Sequence, residues 1–411
     1  MYSINSQRLL LFLVVFDIAL MPVFHIFGLP FKFFFIPLLY NLLKTWKNAY
    51  TFRVMILFII MIVVIFIGAI YQYSFFNVNS LNYTIFLCTS IFLGYVGYSF
   101  GYNIRPIFLD NLLYIAITYS ILNISMGFSS EIQSSLDNFY NISHKNWHLL
   151  RGHGIFSNPN VSALMVNLLL MMTFLAKRFE MLRSKSNYKI LLQFSFSFGA
   201  LIILSSILHL ILFFIISLFF VHIFLKETSL QTSVGIIVFV MTSIFSLVLL
   251  SHFASEPIIK NNFEIELIYN GFNKIMNLPQ EFVNALSQSE FANLKHSRIY
   301  KANQAIEAFM HSPIFGSGFE RPIDGPLHNL KIGYHNDWSY ILVAGGVIAF
   351  SILFIIVYKI WHVHPILALF FVIPGMTHTL MFTMQIFCLY GIIWGIIHYC
   401  KQNQQRMIVS N

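Results

Sequence analysis

Long apolar runs that follow one another along almost the whole chain constrain this sequence more than any other feature. Only 9% of its 411 residues are Asp, Glu, Lys or Arg, whereas soluble domains contain about 25%. A chain with so few charged residues cannot cover a surface that faces water on all sides, so lipid must be its main solvent. The sequence therefore predicts an all-α polytopic integral membrane protein.

The apolar runs are long enough for about 12 transmembrane helices of roughly 20 residues each. Two runs are too long for one helix, so we divide one near Ser205 and Ser206 and the other at Pro374–Gly375. The predicted organisation is an N-terminal bundle of about nine spans (1–252), a large loop (253–334), and the last spans with a tail (335–411). The predicted spans lie near residues 9–28, 31–43, 54–71, 83–101, 107–127, 160–176, 190–204, 207–225, 234–252, 336–358, 364–376 and 379–398.

The basic residues predict how the chain is oriented in the membrane. In the twelve-span arrangement most lysines and arginines of the short loops fall on one side, whereas the opposite short loops hold only Lys32, Lys145 and Arg151. The basic side is cytoplasmic by the positive-inside rule. Both termini are therefore expected in the cytoplasm and the loops 128–158 and 253–334 on the other side. The same rule explains the net charge of +9 without a nucleic-acid partner.

Common motifs for nucleotide or metal chemistry are absent from the sequence. It contains no P-loop, DxD, HExxH or GxSxG segment, and no CxxC pair among its three cysteines. The one close acidic pair, Glu264 and Glu266, would point to different faces of a helix. We therefore predict neither a metal nor another cofactor.

Three polar segments fall on the predicted non-cytoplasmic side. The first, RGHGIFSNPNVSA from Arg151, precedes a span that Pro159 helps to start and that Asn158 or Asn160 would cap. Without a catalytic role, this segment would be a helix-start signal with an arginine near the lipid headgroups. The second, Ser297–Glu320, begins with Arg298.

This second segment predicts an amphipathic helix with Ile299, Ala302, Ile306 and Phe309 on one face, stopped by Pro313. A Pro-Ile-Phe-Gly-Ser-Gly turn follows. The alternative reading is a surface helix that lies on the bilayer.

The third segment, Gly333–Phe350, begins a span where the large loop returns to the membrane. His335, Asn336 and Asp337 occupy its first turn, and a Gly-Gly pair follows about ten residues after the histidine. A single histidine at such an interface is commonly only tolerated there. A His-Asn-Asp group is a better candidate for chemistry, because imidazole can act as a base near neutral pH.

Taken together, these segments resemble the bacterial O-antigen ligase and O-antigen polymerase superfamily of membrane glycan transferases. The resemblance rests on Arg-x-x-Gly-x-Phe-x-Asn-Pro-Asn before a span, on the loop helix that ends in Pro-x-x-Gly-x-Gly, and on His-Asn with the later Gly-Gly. It covers residues 151–350, while the preceding spans match only in being hydrophobic. It implies an all-α membrane glycosyltransferase (GT-C-like) fold in the bacterial inner membrane, with a large periplasmic loop.

The resemblance also implies a substrate and a set of site residues. The donor would be an undecaprenyl-diphosphate-linked oligosaccharide, and the acceptor a glycan or lipid A core, with no metal or nucleotide. His335, Arg298 and Arg151 match the catalytic residues, and Asn158, Asn160, Asn336 and Asp337 would contact substrate. Possible further partners are membrane lipids, a flippase and a chain-length regulator. His328–Asn329 lacks the following span and the Gly-Gly spacing, so we do not assign it the same role.

The residue types also fit this chemistry without the resemblance. A lipid-diphosphate leaving group gains negative charge as the glycosidic bond breaks, and guanidinium groups stabilise such charge in a partly dehydrated cleft. His335 would deprotonate the acceptor hydroxyl, and Asp337 would orient its imidazole.

One feature departs from the family pattern. Many members have Ser-Arg between the two short helices after the sixth span, whereas this chain has LSSILHLI from Leu204. His209 either replaces that arginine or simply faces a neighbouring helix.

Several functions remain open from the sequence. Polymerisation of lipid-linked repeat units of O-antigen, capsule or exopolysaccharide is the preferred function. Ligation of the finished glycan to lipid A core or to a protein is the alternative. A non-enzymatic transporter or flippase of lipid-linked sugars would place charged residues inside the bundle, but Asp17 is the one clear acid within a predicted span. A purely structural membrane protein is the last possibility.

Overall fold

The fold is described from a computed structural model. It describes residues 4–21, 24–26, 29–45, 49–71, 78–104, 110–128, 135, 159–179, 181–182, 187–204, 209–210, 212–217, 305, 308–310, 312–317, 337–377 and 383–410. The chain divides into two compact units. The first unit comprises residues 1–34 and 106–283, and the second comprises residues 35–105 and 284–411.

Almost all of the described residues are helical, and one short β-hairpin is the exception. In chain order the elements are α1 (Ile4–Leu20), β1 (Phe24–Ile26), β2 (Leu29–Phe31), α2 (Phe35–Thr45), α3 (Ala49–Tyr71), α4 (Val78–Asn103), α5 (Asp110–Phe128), α6 (Pro159–Arg178), α7 (Asn187–Ile203), α8 (Asp337–Val363), α9 (Pro365–Thr377) and α10 (Met384–Ser410).

Four of the described helices have segments long and apolar enough to cross a membrane. These segments are Thr51–Ile70, Thr84–Asn103, Asn160–Arg178 and Asp337–Val363. The prediction of an all-α membrane protein is therefore confirmed. The total of 12 spans stays a prediction, since the span near 234–252 lies outside the described residues.

The prediction for the first span is wrong at its end. A single helix was expected over residues 9–28, but α1 ends at Leu20 and an antiparallel hairpin follows, with Phe24 opposite Phe31. The physical reason is Lys32, whose Nζ donates hydrogen bonds to the carbonyls of Asp17 (2.7 Å), Ile18 (2.9 Å) and Met21 (2.8 Å). Carbonyls at the end of a helix generally lack a helical partner, although that of Asp17 also accepts a hydrogen bond of 3.3 Å from the N–H of Met21.

Asp17 completes this arrangement at the end of α1. Its Oδ2 accepts a hydrogen bond of 2.7 Å from the backbone N–H of Phe34. Both Lys32 and Asp17 are buried, with 1% and 7% of their surface exposed. Asp17, the acid that a transporter could have used in its pathway, therefore has a structural function. It fixes the chain where it leaves the hairpin.

Replacement of Lys32 by alanine should strongly destabilise the protein. It would remove the buried ammonium group that bonds to three carbonyls and interacts electrostatically with Asp17, and each buried polar group left without its partner costs about 1–3 kcal/mol. Denaturant titration of the purified protein in mild detergent measures the change. Lys44→Ala, at the exposed end of α2, should shift the free energy of unfolding by only about 0.5 kcal/mol. Equal stability of the two variants would contradict this assignment.

The second predicted division agrees with the structure, because the predicted spans 364–376 and 379–398 correspond to α9 and α10. Pro374 lies inside α9, close to its end at Thr377. The ring of Pro374 removes one hydrogen bond in the last helical turn, so the helix continues for only three more residues. The other division agrees with the structure, because α7 ends at Ile203, just before Ser205 and Ser206.

Buried polar side chains connect the helices of the first unit. Thr173 of α6 donates a hydrogen bond of 2.7 Å to Oε1 of Gln193 on α7. The hydroxyls of Ser120 on α5 and Ser197 on α7 lie 3.4 Å apart. Such bonds between membrane helices contribute about 0.6 kcal/mol each on average, so together they fix orientation more than they add stability.

In the second unit, α4 and α10 approach closely along a row of glycines. A Cβ atom added to Gly97 or Gly101 of α4 would lie within 3 Å of a backbone carbonyl of α10. The same is true for Gly391 and Gly395 of α10 against α4. Small residues four apart let two helix backbones meet in this way. Beyond the glycines, Tyr98 Oη and His398 Nδ1 lie 2.8 Å apart.

Candidate functional site

A turn at residues 312–317 binds to α8 through backbone hydrogen bonds. The N–H of Ser317 donates to the carbonyl of Val343 (2.8 Å), and the N–H of Val347 donates to the carbonyl of Pro313 (2.8 Å). The Pro-Ile-Phe-Gly-Ser-Gly turn and the Gly-Gly pair, which the sequence presents as separate motifs, are therefore two sides of one contact. We call this contact, formed by Gly68, residues 312–317 and residues 343–348, the glycine clasp.

Two glycines of the clasp adopt backbone conformations that other residues rarely reach. Gly346 interrupts α8 with φ +62° and ψ −162°, a region that is essentially restricted to glycine. Gly316 has φ +72°. A Cβ atom at either position would also lie within 3 Å of backbone atoms on the opposite side of the clasp, Ile314 O for Gly346 and Ala344 C for Gly316. Both positions therefore need glycine for conformation and for space.

A third helix closes the clasp. A Cβ atom on Gly68 of α3 would lie within 3 Å of the carbonyl oxygens of Phe315 and Gly316, so the turn lies directly on the α3 backbone. The sequence reading missed Gly68. The sequence signal for Gly68 is weak. An isolated glycine in a helix of Val, Ile, Met and Phe suggests a close backbone approach, but it does not identify the partner.

The chain that leads into the turn also contacts α8. Residue 305 and residues 308–310 are helical, and Ala305 and Ala308 form a buried cluster with Val343, against which Tyr340 is partly buried. The predicted helix ending at Pro313 is therefore confirmed where it is described. The packed face differs in part from the expected one, since the described buried residues are the two alanines while Phe309 is only half-buried.

The first turn of α8 is fastened to α9. Trp338 Nε1 donates a hydrogen bond of 3.4 Å to the carbonyl of Val372, and a Cβ atom on Gly375 would lie 3.6 Å from Asp337 Oδ2. Asp337 has only 4% of its surface exposed. Helix α8, which follows His335 in the chain, is thus held by α9 at its start and by the glycine clasp at residues 343–348.

The start of α6 agrees with the sequence reading of the Asn-Pro-Asn segment. Pro159 is the first helical residue, where its missing N–H and fixed φ are tolerated best. Asn160 is therefore inside the helix and half-buried, so it does not cap the helix, and Asn158 lies outside the described residues. A role of Asn160 in substrate binding stays a prediction.

His209 lies against a neighbouring helix, which was the second of its two readings. It is fully buried, and its carbonyl accepts a hydrogen bond of 2.8 Å from Asn167 Nδ2 of α6. A residue that replaced the missing family arginine would be expected in a hydrated cleft. The buried environment of His209 does not suggest this role.

Most of the predicted site residues lie in parts of the chain that the structure does not describe. For them the assignments remain predictions from sequence, and so does the expected lack of a metal. Within the described ranges, no group of three or more His, Cys, Asp and Glu side chains is arranged to hold a metal ion. The predicted residues outside these ranges are Arg151, Asn158, Arg298, His335 and Asn336.

A family model matches part of the chain, whereas the search of curated proteins finds nothing similar. The family model described as O-antigen ligase matches residues 192–354. This region contains Arg298, His335 and all of the glycine clasp except Gly68, while the segment from Arg151 precedes it. This match confirms, over residues 192–354, the resemblance to the O-antigen ligase and polymerase superfamily that the sequence motifs predict.

Proposed function

We propose that this protein transfers a glycan from an undecaprenyl-diphosphate carrier to an acceptor hydroxyl at the periplasmic face of the bacterial inner membrane. The preferred acceptor is another lipid-linked repeat unit, which makes the protein a polymerase of O-antigen, capsule or exopolysaccharide. Glycan ligation or polymerisation in general follows from the family match. The carrier, the acceptor and the membrane face belong to the proposal.

The observation that carries the proposal is the glycine clasp. It attaches the loop segment that begins at Arg298 to the same helix, α8, that His335 precedes by two residues. Contacts of Ala305 and Ala308 with Val343 add to this attachment before the turn. A fixed connection between the two chain segments supports a site in which an arginine and a histidine act on one substrate.

In the proposed reaction, the acceptor oxygen attacks the anomeric carbon of the donor sugar. The bond from that carbon to the carrier diphosphate breaks, and the diphosphate leaves with the bonding electron pair. Arg298 and Arg151 stabilise its growing negative charge, because a guanidinium group binds two phosphate oxygens at once. Metal is not required for this step when preorganised cations supply the same electrostatic stabilisation.

His335 has the role of general base in this scheme. Its neutral imidazole takes the proton of the acceptor hydroxyl as the new glycosidic bond forms. Asn336 and Asp337 follow it directly in the chain, and Asn158 and Asn160 belong to the segment of Arg151. These amide and carboxylate groups suit the recognition of sugar hydroxyls and remain proposed substrate contacts.

A second candidate is ligation of a finished glycan to lipid A core or to a protein. The description of the matched family as an O-antigen ligase favours it. Polymerase and ligase would use the same carrier and the same leaving group, and they would differ in the acceptor. A flippase or a chain-length regulator is a proposed partner in either case.

The intermediates that accumulate in cells lacking the protein distinguish these candidates. We expect single repeat units on the lipid carrier, exposed to the periplasm, because a polymerase consumes them. Full-length lipid-linked chains would identify a ligase instead. Repeats retained on the cytoplasmic side would overturn both transferase proposals in favour of a flippase.

Transfer by the purified protein should persist in EDTA, and loss of activity that Mg²⁺ restores would contradict metal independence.

A further inference from the structure

A groove lies between α1 and α5 in the first unit. It has a volume of about 580 Å³ and is lined by Arg8, Leu9 and Phe12 of α1 and by Asn111 and Tyr114 of α5. A charged end with an apolar continuation is the chemistry of a membrane lipid, whose headgroup is polar and whose acyl chains are not.

One cationic side chain lines the groove, and a second is bonded to a lining residue. Arg8 lines the groove directly, and Lys189 of α7 donates a hydrogen bond of 2.5 Å to the hydroxyl of Tyr114. Asp110, the first residue of α5, acts electrostatically on Lys189. Two cations and one carboxylate leave one net positive charge, which a single phosphodiester would neutralise.

The apolar continuation of the groove runs along exposed faces of both helices. Leu9, Leu13 and Phe16 are exposed on α1 at spacings of four and three residues, and Tyr114 and Ile121 are exposed on α5 at a spacing of seven. These spacings place each set on one face of its helix. Hydrophobic side chains exposed in two such rows are suited to contact an acyl chain.

We propose that this groove binds one anionic phospholipid, with its phosphate at Arg8 and Lys189 and an acyl chain along the exposed row of Leu9, Leu13 and Phe16. Asn111 lies at the same end and can bond to the hydroxyls of a glycerol headgroup. Basic pockets between membrane helices recognise anionic headgroups in this way. A zwitterionic lipid fits less well, because its ammonium group would add a second positive charge.

Titration of the purified full-length protein with lipid, followed by native mass spectrometry, tests the proposal. Dioleoylphosphatidylglycerol should bind about fivefold more tightly than dioleoylphosphatidylcholine, since each basic residue near an anionic lipid contributes about 1 kcal/mol. Arg8→Gln or Lys189→Gln should each weaken phosphatidylglycerol binding about fivefold. The double variant should bind both lipids equally.

Arg178→Gln is the matched control. Arg178 is an exposed basic residue in the last turn of α6 that does not line the groove, so the preference for phosphatidylglycerol should remain. Loss of the preference in this control, or equal binding of both lipids by the wild type, would overturn the proposal. A Leu13→Cys variant that lacks the native cysteines gives a second test. If it cross-linked to a second copy to the same extent with and without added lipid, the proposal would be overturned.

Discussion

Replacement of His335 by alanine is expected to lower the rate of glycan transfer by about a hundred- to ten-thousand-fold. This is the usual contribution of a general base, and no other base is proposed for the acceptor hydroxyl. The measurement is the initial rate of transfer by purified protein with a lipid-diphosphate donor. Donor binding and membrane insertion should remain close to those of the wild type, because the imidazole acts on the acceptor.

His328→Ala is the internal control for this prediction. It precedes His335 by seven residues and is also followed by asparagine, but neither a span nor a Gly-Gly pair follows at the same spacing. Its effect should be mild. A fully active His335 variant together with an inactive His328 variant would reverse the assignment. Wild-type activity should also fall on acidification, because a protonated imidazole can no longer accept a proton.

Gly346→Ala is expected to lower kcat/KM by about a hundredfold, although residue 346 has no contact with substrate in the proposed mechanism. The added methyl group would collide with the carbonyl of Ile314 and would have to adopt a conformation that is nearly exclusive to glycine. The turn would therefore shift on α8, and a displacement of about 1 Å can cost a hundredfold in rate. Gly68→Ala should act in the same direction through crowding alone, because the φ of Gly68 is that of an ordinary helix.

Two comparisons separate this positioning effect from general destabilisation. Gly199→Ala, on α7, adds a methyl group 3.2 Å from the flexible end of Ile124, so activity should be almost unchanged. Arg298→Ala should cost much less in the Gly346→Ala background than in the wild type, because the arginine is already displaced there. Fully multiplicative losses would indicate that the clasp does not position Arg298.

The sequence predicts the helices well because burial in lipid leaves a strong local signal. The predicted spans in the described residues correspond to helices, and Pro159 begins α6 as expected. The errors occur where a distant residue decides the local structure. Nothing in the apolar run after Asp17 indicates that Lys32, fifteen residues away, will bind the end of α1 and replace the expected helical continuation by a hairpin.

The site was less accessible to sequence reasoning for the same reason. Both halves of the glycine clasp were recognised as motifs, but their contact joins residues about 30 positions apart, and the third partner, Gly68, is more than 200 residues away. The glycine rows of α4 and α10 carried a more specific signal, since Gly97 with Gly101 and Gly391 with Gly395 have the spacing of a helix-pairing motif.

The close pairing of α4 with α10 has a consequence for how the protein is made. Tyr98 and its partner His398 are 300 residues apart, so α4 enters the membrane long before α10 exists. At synthesis rates of about 5–20 residues per second, the interval is about 15–60 s. During that time the glycine face of α4 must be covered by lipid or by the insertion machinery. The second unit can therefore reach its final packing only after α10 has left the ribosome.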